Sequence, residues 1–323
     1  MSDQPDSANA GHLRVGVLGS PTGWYMRDLQ RAAASMPSHR STSIQSLSFP
    51  KLSVWSHPNT LARTRTQFAD GSDGKDPISL VDFDTVLIRT MPLGSLEQVV
   101  FRMNALHVAQ SNGTRILNPP RCLEIAIDKW LTLDIAMQNG LETPRTVCCQ
   151  TREEAFSAFD SFGGDCIVKP IFGGEGRGIV RVNDSEIAWR VFSTLEQLQS
   201  VIYLQEFLES DGFDLRLLVV GDEVFCVRRE NGDDWRSNVS RGGRAVPHEP
   251  TFEQISMAFK TCKAIQGWMI GVDILPTRQG RNVLLEANAV PGWRATSAAL
   301  NVDMASLVLH RLHEMKDGKA SRV

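Results

Sequence analysis

The chain lacks several things that would have settled its class at once. No run of residues approaches the ~18 consecutive apolar positions that a membrane-crossing helix needs. The six cysteines form no C-x-x-C and lie in no Cys/His cluster of zinc spacing, so they read as reduced packing thiols. The adjacent pair Cys148 and Cys149, in "RTVCCQ", also reads as strand packing and not as a redox couple. Positive charge is not in surplus, with 34 Lys and Arg against 37 Asp and Glu and a formal net charge of -3, which argues against a nucleic-acid partner. No Ser-His-Asp arrangement, internal repeat or low-complexity tract is present. The first eleven residues, "MSDQPDSANAG", have no apolar core of the kind a signal peptide carries, so residues 1–11 are expected to be a disordered tail of a cytoplasmic protein.

What is present is an alternation of strand-like and helix-like segments in a chain of 323 residues, long enough for two domains. "LRVGVLGS" ends at glycine and leads into a helix over "WYMRDLQRAAASM", and "DTVLIRTMPLG" leads into another over "LEQVVFRMNALHVAQSNG". This order predicts a small open α/β domain over residues 12–118, with the stretch from Ser56 to Pro77 as an irregular excursion. "NPP" at 118–120 opens a second region. In it, "CLEIAIDKWLTLDIAMQNG" carries Leu123, Ile127, Trp130 and Leu131 at helical spacing. "CIVKP" and "GIVRV" follow as short strands, and "FDLRLLVVGDEVFCVRRE" reads as a hairpin turning at Gly221 and Asp222. "TFEQISMAFKTCKAIQG" is a helix, and "MIGVDILPTRQGRNVLLEANAVPG" is a further hairpin. His310 and His313, three apart near the end, read as structural.

Between "CIVKP" and "GIVRV" lies "IFGGEGRG". Gly173, Gly174, Gly176 and Gly178 can turn successive N–H groups toward an anion, or can simply close a hairpin. Neither a Walker Lys-Ser/Thr nor a G-x-G-x-x-G is present, and the loop joins strand to strand. Strand alternation puts Glu286 and Asn288 on one face, with Asp273 about opposite Glu286 across the last hairpin. Two carboxylates and an amide oxygen suit a hard cation such as Mg²⁺, although a turn cap and a solvated glutamate are equally good readings of the same residues. Lys129 and Lys169, each beside apolar residues, add positive charge for a polyphosphate. The arginines 228, 229, 236, 241 and 244 read as a site for phosphate and carboxylate groups in preference to a solvated loop.

"DKW", "IVKPIFGGEGRGIV", "IYLQEFLESDGFDLRLLVVGDEVFCVRRENGDDWRSNVSRGG", "GVDIL" and "LLEANAVPG" together resemble the successive motifs of the ATP-grasp ligases, most of all the RimK-type glutamate-ligase branch. The resemblance covers about Asn118 to Leu309. It implies an α+β ATP-grasp unit behind the leading α/β domain, with a central subdomain at 119–203, which carries the glycine flap, and a C-terminal subdomain at 204–323 clasping ATP. It implies that Lys129 and Lys169 contact phosphate beneath the loop of Gly173, Gly174, Gly176 and Gly178. Gln205, Glu206, Phe207 and Leu208 would read the adenine, and Asp214 the ribose. Arg216, Arg228 and Asn238 would act on the phosphates and the acyl phosphate. Asp273, Glu286 and Asn288 would bind two Mg²⁺ ions, with Mn²⁺ as a substitute.

The implied reaction is ATP-dependent ligation of a carboxylate to an amine through an acyl phosphate, which needs positioning and charge neutralisation more than a nucleophilic side chain. Small-molecule carboxylate and amine substrates are the expected partners, and a homo-oligomer is left open. Ala289, Val290 and Trp293 stand where the family carries small polar groups. An apolar wall there favours glutamate addition to a flat cofactor precursor such as a tetrahydromethanopterin-type pterin. Rival expectations are a ribosomal protein tail or an amino-acid-pathway intermediate as acceptor, a low-turnover ATP-binding regulatory protein, and a kinase that stops at phosphorylation.

Overall fold

The computed structural model of the chain describes residues 11–69, 71, 76–173, 176–230 and 243–318. Residues 1–10 of the expected tail at 1–11, and Gly174, Arg236, Asn238 and Arg241, lie outside the described residues. The chain forms two compact units, one of residues 1–121 with 302–323 and the other of residues 122–301. Among the described residues no helix is long and apolar enough to cross a membrane.

The first unit contains β1 (Leu13–Leu18), α1 (Trp24–Ala34), β2 (Thr42–Leu47), β3 (Ser53–Trp55), β4 (Arg63–Thr66), β5 (Ile78–Ser79), β6 (Thr85–Ile88), α2 (Leu96–Ser111) and β7 (Arg115–Leu117). A parallel sheet of order β2-β1-β6-β7 bears out the open α/β expectation. The excursion is more ordered than its composition predicts, because β3, β4 and β5 make a small antiparallel sheet. Its middle strand "RTRT" buries threonines instead of aliphatics. Thr64 Oγ1 donates to the Ala105 carbonyl at 2.8 Å and Thr66 Oγ1 to that of Ser48 at 2.6 Å. Buried hydroxyls satisfied in this way leave no hydrophobic alternation to read.

In the second unit α3 (Pro120–Ile127) and α4 (Lys129–Gln138) replace the single helix predicted there. Asp128 separates them by capping the second, its carboxylate accepting from the N–H groups of Trp130 and Leu131 at 2.9 and 3.0 Å. β8 (Thr146–Cys149), α5 (Arg152–Ser161), β9 (Cys166–Lys169), β10 (Val180–Val182), α6 (Ser185–Gln197) and β11 (Ile202–Glu206) follow. Their strands form an antiparallel sheet of order β10-β9-β11-β8, packed on α5 and α6 through Phe159, Phe192, Ile202 and Leu204. β9 and β10 are the two arms of the glycine loop, with Val168 paired to Val180.

The rest of the unit is β12 (Phe213–Val220), β13 (Glu223–Glu230), β14 (Arg244–Pro247), α7 (Phe252–Ala264), β15 (Met269–Pro276), β16 (Asn282–Asn288) and α8 (Arg294–Leu300). Its strands make a five-stranded antiparallel sheet of order β14-β13-β12-β15-β16, with α7 packed against β12 and β15. Between β15 and β16 the register slips at Asp273/Ile274, where Asp273 pairs with Glu286 and Ile274 with Leu284, leaving Leu285 as the extra residue of a bulge.

The last helix, α9 (Met304–Lys316), belongs with the first unit and not with the C-terminal subdomain that the sequence reading drew to residue 323. It is held there through Asp303, which accepts two hydrogen bonds from Arg31 at 2.7 and 2.9 Å. Those bonds hold the Asp303 carboxyl down at about 2. His313 Nε2 lies 2.8 Å from Thr42 Oγ1, the structural use expected of it.

Candidate ATP site

Antiparallel pairing places the charged residues of the five-stranded sheet in rows. Asp214 is opposite Arg229, Arg216 opposite Asp273, and Asp273 opposite Glu286, so these side chains share one face with Asn288. Arg229 is 6% exposed. Its Nε and Nη2 donate to the two oxygens of Asp214, each at 2.7 Å, and Nη2 also lies 2.9 Å from Asp273 Oδ2. Burial presses the Arg229 pKa down, but the charges of Asp273 and Asp214 outweigh it and leave it raised. Arg216 Nη1 lies 2.8 Å from Asp273 Oδ1, yet neither atom makes a hydrogen bond of acceptable geometry. A Cβ at Gly271 would meet that guanidinium at 2.6 Å, so a larger residue there would displace the Arg216 head group.

The four-stranded sheet supplies the other charges. Lys169, at the end of β9, donates to Gln205 Oε1 at 2.6 Å, while Gln205 Nε2 donates to Thr146 Oγ1 and Tyr203 Oη at 3.1 and 3.2 Å. Desolvation lowers the Lys169 pKa to about 8, with Lys129 adding to the shift and Glu286 and Asp273 opposing it. Lys129, at the first turn of α4, is buried and donates to the carbonyl of Gly173, tying the start of the glycine loop to the helix. Gly173, Gly176 and Gly178 all take positive φ, and a Cβ at Gly178 would meet Pro170 at 2.8 Å.

One cavity lies between these two sets. Lys169, Gln205, Asp214, Arg229, Asp273 and Glu286 give it polar walls, and Ile167, Ile179, Phe207, Leu208, Leu275 and Leu285 give it apolar ones. A slot that is apolar at one side and charged at the other suits a flat base joined to a polyphosphate. Of the residues singled out from sequence, Glu206 also borders the cavity but gives its carboxylate to Arg145 at 2.7 Å. Asn288 Oδ1 accepts from the Val290 N–H at 2.8 Å. Arg228 points the other way. It pairs with Leu215 on the opposite face of the sheet, bonds Glu230 at 2.6 Å and lies 5.1 Å from the Phe213 ring centre.

Arg229 is the residue that sequence reasoning passed over in favour of its neighbour. The signal was there, because reflecting Asp214 across the turn at Gly221 and Asp222 lands on residue 229. Trp293 requires a correction. It is 0% exposed and Ala289 4%, so the indole is core and cannot form an acceptor wall. The chain turns after Pro291 and Gly292 into α8, which carries the indole inward.

Among the described residues no three His, Cys, Asp or Glu side chains are grouped to hold a metal. Two carboxylates, Asp273 and Glu286, do face each other across paired strands, with the amide of Asn288 beside them. Among the described residues no hydrogen bond or ion pair reaches Glu286, so its carboxylate, opposite that of Asp273, has acceptor oxygens that fit a hard divalent cation.

Two facing antiparallel sheets, a glycine hairpin and a cavity lined by lysine and carboxylates define an ATP-grasp fold. The RimK-like ATP-grasp domain family matches residues 126–312, more than half of the chain, and the chain belongs to that family. It is an ATP-dependent ligase of the amide-forming RimK type. A tetrahydromethanopterin:alpha-L-glutamate ligase of Methanosarcina acetivorans is 30% identical over 268 residues, 74% of this chain and 82% of that protein. A ribosomal protein bS6--L-glutamate ligase of Escherichia coli O81 is 31% identical over 209 residues, 64% of this chain and 69% of that one. Among solved structures, the ATP-grasp ligase PsnB complexed with minimal precursor, Mg and ADP superposes with a TM-score of 0.67 at 19% identity, over 94% of this chain and 98% of the other, a likeness of fold.

Proposed function

We propose that the chain adds glutamate, through its amine, to the carboxylate of a small cofactor precursor of the tetrahydromethanopterin type. One observation carries the assignment of the site: Lys169 on one sheet and Asp214, Arg229, Asp273 and Glu286 on the other line a single cavity with an apolar side. Glutamate is supported by the names of both relatives, and the pterin by that of the methanogen enzyme. Loss of the Trp293 wall removes the support for a flat acceptor that came from within the chain.

Lys169 and Lys129 supply positive charge toward the phosphates, while Gln205 holds the Lys169 ammonium in place. The acceptor carboxylate oxygen attacks the γ-phosphorus and ADP leaves. The glutamate amine then attacks the acyl carbon, phosphate departs and the nitrogen loses a proton. Arg216, paired with the cavity-lining Asp273, is the cation beside the charged end of the cavity, where the developing negative charge needs a counter-ion. Asp273, Glu286 and Asn288 would hold two Mg²⁺ ions, which when bound neutralise the polyphosphate.

The test is incubation of the protein with ATP, Mg²⁺, labelled glutamate and a cell extract separated by size. Label in a low-mass pterin supports the proposal, and label in protein transfers the activity to a polypeptide tail. ATP consumption with no glutamate incorporated into any fraction would refute it.

A further inference from the structure

Resting on that reading of the site, the geometry points to Arg229 as a gate on cation entry. Together with Arg216 it closes Asp273 to a free divalent cation, which therefore enters only with nucleotide. Both oxygens of Asp273 face a guanidinium, Oδ1 that of Arg216 at 2.8 Å and Oδ2 that of Arg229 at 2.9 Å. Of the carboxylates that line the cavity, Asp214 is held by Arg229, Asp273 by Arg229 and by Arg216 beside it, and Glu206 by Arg145, which leaves Glu286 with no ion pair among the described residues. A dication arriving alone meets two guanidinium charges at Asp273 and has only Glu286 as an unpaired carboxylate to hold it. A nucleotide polyphosphate brings several negative charges to the two guanidiniums, and it offers Arg216 another acceptor.

The way Arg229 is held makes this release cheap in motion. Its fork to Asp214 uses Nε and Nη2, and only the Nη2 leg is shared with Asp273. Asp273 can therefore turn away from Nη2 while the guanidinium stays where it is, anchored by two bonds to a buried carboxylate. Arg229 is on this account a positioning residue. It holds Asp214 toward the cavity and sets when Asp273 becomes available, without touching the reacting atoms.

Mn²⁺ titration followed by electron paramagnetic resonance tests the gate without any turnover. The nucleotide-free protein should bind Mn²⁺ at least about tenfold more weakly than the protein with a non-hydrolysable ATP analogue, after correction for Mn²⁺ held by the analogue alone. Arg229→Met should raise the nucleotide-free affinity about tenfold, and Arg229→Lys, which keeps the charge, should restore the weak binding. If Arg229→Met does not fold, Arg216→Met leaves the Arg229–Asp214 fork intact and should shift the affinity the same way. Equal Mn²⁺ affinity with and without the analogue would overturn the gate while leaving the ATP site standing, as would unchanged affinity in whichever of the two methionine variants folds. Failure of the protein to hold Mn²⁺ even with the analogue would overturn the site assignment, and the gate with it.

Discussion

Raising the pH should weaken nucleotide binding in a window set by one lysine. Lys169 is desolvated and its pKa is lowered to about 8 from the ordinary 10.5. Roughly nine in ten molecules carry the charge at pH 7 and roughly one in ten at pH 9. If the phosphates bind the ammonium form, affinity for ATP falls about tenfold between these values, since the proton must first be taken up at a cost of about 1.4 kcal/mol per pH unit above the pKa. The folded pKa lies below that of the unfolded chain, so the unfolded chain retains the proton from about pH 8 to 10.5 and this group's contribution to stability rises with pH across that window. A weaker complex at pH 9 would thus come from lost charge in the site and not from unfolding through Lys169. The assay is equilibrium binding of a fluorescent, non-hydrolysable ATP analogue at pH 7, 8 and 9, with Lys169→Arg alongside. Arginine stays protonated throughout and should flatten the dependence. Constant wild-type affinity over this range, or the same decline in the arginine variant, would refute the role given to Lys169.

Glu286→Gln should leave the chain folded and able to bind nucleotide but reduce amide formation by at least about a hundredfold, as a neutral amide cannot balance cations at the phosphates; near-normal product formation at ordinary Mg²⁺ would disprove it. Trp293→Ala should cost about 3 to 5 kcal/mol of stability, read in a denaturant titration, because it empties a fully buried site. A change confined to the Michaelis constant for the acceptor would contradict that core placement. Asp128→Ala should cost about 1 kcal/mol by uncapping α4. It should also raise amide exchange at Trp130 and Leu131, and unchanged exchange there would speak against the cap.

The parts legible in the sequence were those governed by local rules. Glycine turns and alternation located both hairpins of the five-stranded sheet, and the pairing of Asp273 with Glu286 followed from the second. Polar strands were not legible. β4 hides its buried face in threonine hydroxyls, and β2, "TSIQSL", looks like a loop by composition. The division between α3 and α4 depended on a capping carboxylate inside a run that keeps helical spacing on both sides. Trp293 was misplaced because position next to a motif says nothing about which way the chain turns after Pro291. Arg229 was missed because two adjacent arginines look alike until register assigns them to opposite faces.

The extra residue in β16 has a consequence for how this segment can change. From Asn282 to Leu284 the strand is in phase with the core, and from Glu286 to Asn288 it is in phase with the cavity. Leu285 is the half-step between the two phases, so the hairpin works as two short messages printed on opposite sides of one ribbon. Deleting Leu285 would force a choice. Either the fully buried Leu284 leaves the face it shares with Ile274 and turns toward the cavity, or Glu286 and Asn288 turn away from it. Substitution at Leu285 changes only a wall of the cavity, whereas a change of length by one is lethal to the core or to the chemistry. The spacing between turn and carboxylate is thus more tightly constrained than the identity of the residue that sets it.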